Sequence, residues 1–102
     1  MISKRRTSAG PLAVLFAGLA LSACETAPPV QEMSDARQAI EVARQAGAAS
    51  HARPELTEAL QYLEEAENEL DIEDYARARR SALQAKSKAL EARALSEASH
   101  PR

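Results

Sequence analysis

Residues 54–96 read PELTEALQYLEEAENELDIEDYARARRSALQAKSKALEARALS. The first half places Leu56, Ala59, Leu63, Ala66 and Leu70 at alternating intervals of three and four, with Leu60 beside them. Such intervals put side chains on one face of an α-helix and match the heptad spacing of coiled-coil-like packing. The second half continues with Tyr75, Ala78, Ala82, Ala85, Ala89 and Ala92, an almost pure Ala seam. Small residues let two helices approach closely, with little apolar area gained per residue. The link between the halves is short, so the spacing predicts an antiparallel hairpin of helices over about 54–70 and 72–96.

The hairpin turn carries its own signals. Asp71 is a favoured cap for the second long helix, with Glu73 and Asp74 in its first turn. Under that assignment Asp74 forms an acidic variant of the capping box. Leu70 and Tyr75 then occupy the hydrophobic staple positions. At the other end of the hairpin, Pro54 suits a first helical position and Glu55 follows it.

Charge is segregated along this stretch. Residues 55–74 hold nine acids and no base, whereas residues 75–102 hold seven bases and two acids. The two faces are expected to flank the hairpin seam and fix its pairing, as e and g charges do in coiled coils.

Ahead of the hairpin a shorter helix is predicted over 34–47, capped by Ser34. Met33, Ala36, Ile40 and Ala43 form its stripe, and Gly47 suits its C-terminal cap. Residues 48–53 (AASHAR) read as a turn or a frayed end. Residues 25–31 (ETAPPVQ) read as an extended tether, because Pro28 and Pro29 oppose helix. The expected fold is therefore all-α. It is a three-helix domain over 33–98 after a lipid-bearing tether at 24–32, with a frayed tail at 99–102.

The first 23 residues read differently. Lys4, Arg5 and Arg6 form a positive segment, residues 11–21 (PLAVLFAGLAL) an apolar one, and Ser22 and Ala23 a small-residue site. That order is a secretory signal peptide. The apolar run falls short of the about 20 residues that span a bilayer core. Leu21-Ser22-Ala23-Cys24 resembles the bacterial lipobox. The resemblance implies cleavage between Ala23 and Cys24, a diacylglycerol on the Cys sulfur and an acyl chain on the new amine. Two or more chains anchor stably where one does not. Cys24 is the only cysteine, so no internal disulfide is possible. Glu25 is not the Asp that favours inner-membrane retention in enterobacterial lipoproteins. The resemblance therefore implies the periplasmic face of the outer membrane.

Composition limits what the remainder does. Three of the 13 bases and none of the 15 acids lie before Cys24. The net negative remainder argues against nucleic acid, which wants a basic face. Residues 33–98 contain seventeen Ala and seven Leu, a helix-forming composition. His51 and His100 are far apart in sequence and lack metal-ligand spacing. The acidic run lacks the glycine and alternating oxygens of a calcium loop. No nucleophile motif or glycine-rich phosphate loop is present, so no catalytic residue and no metal is assigned. Leu83, Leu90 and Leu95 are the apolar side chains expected to remain uncovered, as a possible interaction face.

Ala36, Ala39 and Ile40, residues 43–48 (ARQAGA), Leu56, Ala59, Leu63 and Ala66 carry a resemblance, as do Asp74-Tyr75, Ala78-Arg79, Ala82, Ala85 and Ala89. Across residues 34–92 the chain resembles small proteobacterial envelope lipoproteins of the domain of unknown function 4398. That resemblance implies a helical fold and an envelope location, with no assigned activity. Many such sequences carry Gly before Asp-Tyr. Glu73 stands there in this chain, so a more helical turn is expected. The leading expectation for function is a non-enzymatic structural or interaction lipoprotein, binding another envelope protein or itself. The competing expectation is an accessory module that binds a small ligand, a cation or a peptidoglycan fragment.

Overall fold

The computed structural model describes residues 27–100, so the signal peptide, the lipobox and Cys24 lie outside the described residues. The described chain is all-helical: α1 (Val30–Gln45), α2 (Ala48–His51), α3 (Arg53–Asp71) and α4 (Tyr75–Ala98). The two long helices, α3 and α4, pack together as the hairpin. The heptad intervals on both made that arrangement legible.

Helix α4 supplies only small residues to the interior. Ala78, Ser81, Ala82, Ala85, Ala89, Ala92 and Ser96 are all buried. The bulk comes from the other helices. Ile40 of α1 and Leu56 of α3 meet Ala89 and Ala92, and Met33 meets Ala66 and Ala82. Leu63 is half-buried and packs against both groups. A thin helix surface facing larger aliphatic side chains fills the space as close-packed interiors require. The contacts also give the topology. Glu32 and Asp35 lie beside Arg79 and Lys86, so α1 runs parallel to α4. Helix α3 runs antiparallel to both.

All six boundaries of the expected helices differ from the sequence reading, four of them by only one or two residues. Helix α1 begins at Val30, not Ser34, and takes in residues 30–32 of the expected tether. Pro29, buried, is its N-cap, and its carbonyl accepts from Met33 N at 3.0 Å. Burying Met33 on the α1 stripe needs helical backbone before it, which outweighs the capping preference of Ser34. Residues 48–51 form a helical turn of their own. Its first carbonyl acceptor is Gly47, whose φ of 96° is in the left-handed region. Ala48 and Ala52 are buried with Ala89 and Ala92, so α2 covers the C-terminal part of α4.

At the hairpin turn Asp71 is the last residue of α3, and Asp74 caps α4 by accepting from Arg77 N at 3.3 Å. Leu70 and Tyr75 accordingly fall outside the staple positions. The residue that makes the turn is Glu73, at φ 62°. Glu73 N donates to Leu70 O at 2.9 Å and Asp74 N donates to Glu69 O at 2.8 Å. Those two bonds satisfy the last carbonyls of α3, the usual task of a left-handed Gly after a helix. Glu73 thus holds the conformation of that Gly instead of extending the helix.

Candidate functional site

Two surfaces of the hairpin carry chemistry. The first is an open groove of about 420 Å³ between α3 and α4 near the turn, lined by Glu65, Asn68, Glu69, Arg77, Arg80 and Gln84 with Ser81 at its base. Ser81 Oγ donates to Glu69 Oε1 at 2.6 Å, and Arg77 Nε lies 3.6 Å from Glu69 Oε2. Glu69 is therefore held from two sides and is only 17% exposed. The sequence reading did not single out Ser81. It is three residues after Ala78 and four before Ala85, so the interval did contain the signal. Ser96 similarly extends the seam from Ala92, whose carbonyl accepts its hydroxyl at 2.8 Å.

The second surface is the side of α4 opposite the seam. Leu83 and Leu90 are 50% and 46% exposed there. Ala76, Ser87 and Ala94 share the face and are exposed. Leu95 is also exposed, at 44%, but lies about 140° around the helix from Leu90, toward the α3 side. The three leucines grouped in the sequence reading thus fall on two surfaces.

Ion pairs run from α4 to both neighbours. Arg79 reaches Glu32 at 3.4 Å and donates to the Ala27 carbonyl at 3.0 Å. Lys86 lies 3.8 Å from Asp35 of α1. Lys88 lies 3.6 Å from Glu58 of α3 and 3.5 Å from Glu91. The Glu58 carboxylate, and after it Glu91, raise the Lys88 ammonium above its ordinary value. Arg37 of α1 closes the set with Glu67 of α3 at 3.2 Å. The segregated charges therefore pair three ways, across α1 as well as along the hairpin seam.

The structure brings together two residues treated as separate. The His51 and His100 rings meet edge to face with centroids 4.8 Å apart, and His100 Nε2 lies 3.3 Å from the Ala46 carbonyl. Nothing local in the sequence links them; the C-terminal end of α4 reaches α2 only in the folded chain. Among the described residues no group of three or more His, Cys, Asp or Glu is placed to hold a metal ion. No described helix is long and apolar enough to cross a membrane.

A family profile described as a domain of unknown function, DUF4398, matches residues 31–100. No curated protein and no solved structure matches the chain.

Proposed function

This chain belongs to the DUF4398 family, a domain of unknown function, and from that premise we propose that it is a lipid-anchored envelope protein acting through its helix faces. In this reading residues 1–23 are a cleaved signal peptide. Cys24 carries a diacylglycerol and an N-acyl chain, which hold the domain at the periplasmic face of the outer membrane. The domain is a non-enzymatic structural or protein-interaction module, and its partner is another envelope protein or a second copy.

The observation that carries the interaction reading is the outer face of α4. Two leucines about half exposed stand there on a background of small residues. A helix normally turns one apolar stripe inward and a charged face outward. Here a second stripe is left uncovered on the longest helix of the domain. The anchor reading rests on Leu21 to Cys24.

Mass spectrometry of the full chain expressed in a Gram-negative host tests the anchor. The expected product has lost residues 1–23 and gained acyl mass on Cys24, and Cys24→Ala is released from membranes. A product that keeps its N-terminus would sink the anchor. A photo-crosslinking residue at Leu83 tests the interaction reading, which expects a protein adduct in cells.

The groove around Glu69 favours a second reading, an accessory module for a small ligand, a cation or a peptidoglycan fragment. It offers carboxylates and guanidinium groups side by side, which suits a zwitterionic peptide. A thermal shift with muropeptides, lost in Arg77→Ala, is the expected outcome for that class.

A further inference from the structure

The outer face of α4 has a regular pattern of its own. Ala76, Arg80, Leu83, Ser87, Leu90 and Ala94 follow one another at intervals of four and three without a break. All six are exposed. This is a second heptad stripe on a helix whose first stripe is already buried. Arg80 is the single base on it, at the edge where the stripe borders the α3–α4 groove. Every other base of α4 has a carboxylate within 4.0 Å, namely Arg77, Arg79, Lys86, Lys88 and Arg93. Arg80 has none among the described residues.

We propose that this face pairs with the same face of a second copy, α4 against α4 and antiparallel, about a two-fold axis through Ser87. The proposal rests on the interaction reading above and names its occupant. The argument is charge complementarity. In a parallel, in-register pair Arg80 faces the partner subunit's Arg80, and two like charges repel near one end of the contact. Antiparallel about Ser87, Arg80 faces the partner subunit's Ala94. The residues three before and three after that position are Glu91 and Glu97. The same operation brings Leu83 level with the partner subunit's Glu91, one residue from the partner subunit's Leu90 on the same stripe. The face therefore complements itself under a two-fold axis, as an isologous contact must. A 24-residue helix is about 36 Å long, so one helix face each buries less than the roughly 1,200 Å² of a stable complex. The pair is accordingly weak and reversible, and it gains from confinement to a surface.

Oxidative crosslinking of the full chain in cells tests the geometry. Leu83→Cys and Leu90→Cys are placed in differently tagged copies, and the chain with Cys24 alone supplies the background. The mixed 83/90 pair is expected to exceed either like pair, because 83/83 lies about two helical turns apart in this arrangement, beyond disulfide reach. Arg80→Glu is expected to lower the mixed yield about fivefold, and Arg80→Glu with Glu91→Arg and Glu97→Arg to restore it. A dominant 83/83 pair overturns the antiparallel arrangement. No self-crosslink, with a photo-crosslinker at Leu83 capturing a different protein, overturns the second copy and leaves the interaction reading standing. No adduct of either kind overturns both.

Discussion

Ser81 Oγ donates a 2.6 Å hydrogen bond to Glu69 Oε1, joining α4 to α3 at the edge of a seam built almost entirely from methyl groups. The backbone carbonyl of the same glutamate accepts from Asp74 N at 2.8 Å. One residue thus ties the hairpin together through its side chain and closes the turn through its main chain. Ser81→Ala leaves a mostly buried carboxylate oxygen without its donor. A bond to a charged group is worth roughly 1.5–3 kcal/mol, and Ala returns part of that through helix propensity. The net loss expected is about 1 kcal/mol, read as a melting temperature lower by roughly 4–8 °C. An unchanged melting temperature would show that water replaces the serine at no cost.

Glu73 occupies a left-handed conformation at φ 62° that glycine takes freely. A side chain there costs roughly 1–2 kcal/mol, and glycine gives back part of the gain as unfolded-chain entropy. Glu73→Gly is expected to raise stability by about 0.5–1 kcal/mol. Glu73→Val, branched at Cβ, is expected to lower it. Chemical denaturation of the three chains checks the order Gly, Glu, Val.

Gly47 sits at φ 96°, and a Cβ there would lie 3.2 Å from His51 Cδ2 and 3.5 Å from His100 Nε2. Gly47→Ala is expected to cost at least about 1 kcal/mol. Adding His51→Ala removes the close contact but not the backbone strain, so only part of the loss should return. Full recovery would place the whole cost in the ring contact.

The arginines at the start of α4 divide by role. Arg77 faces Glu69 and Asp74, Arg79 faces Glu32, and Arg80 faces no carboxylate within 4.0 Å among the described residues. Charge reversal of Arg77 or Arg79 to Glu is expected to lower the melting temperature in low salt, each by well under what a ~1 kcal/mol change produces. Arg80→Glu in dilute solution is expected to leave it unchanged. Adding salt to about 1 M should erase the differences.

Lys88 provides a pH signature. Glu58 first, then Glu91, raise its ammonium above 10.5 in the folded chain. A raised value means the contribution is fully present below 10.5 and fades as the pH climbs through the folded value. Melting temperature followed into the alkaline range should fall there, and Lys88→Gln should flatten that part of the curve. The same slope in both chains would assign the decline to other groups.

What the sequence made legible was periodicity. Intervals of three and four announced α3, α4 and the α1 stripe, and the seam residues Ala78, Ala82, Ala85, Ala89 and Ala92 are all buried. Intervals also reached Ser81 and Ser96, but polarity hid them. What stayed hidden needed either backbone angles or distance in space. Glu73 gives no outward sign of a left-handed residue, so the sequence points to a cap at Asp71 where Asp74 is the cap. Helix α2 has four residues, too few to show a period. His51 and His100 meet only because α4 is long enough to reach α2. In the groove, Glu69 looked like one acid among nine until Ser81 and Arg77 closed on it.

Arg79 holds the chain at Ala27 beside the turn, whereas His100 lies at the opposite pole, against α2. Since α1 and α4 run the same way, the two ends of the described chain lie at opposite poles of the domain. A pull applied between them slides α1 along α4, and does not peel one from the other. Such a load falls on the whole row of contacts from Met33 to Ala92 at once. An object held at one end and tugged at the other would meet its resistance as a strut does, all along its length.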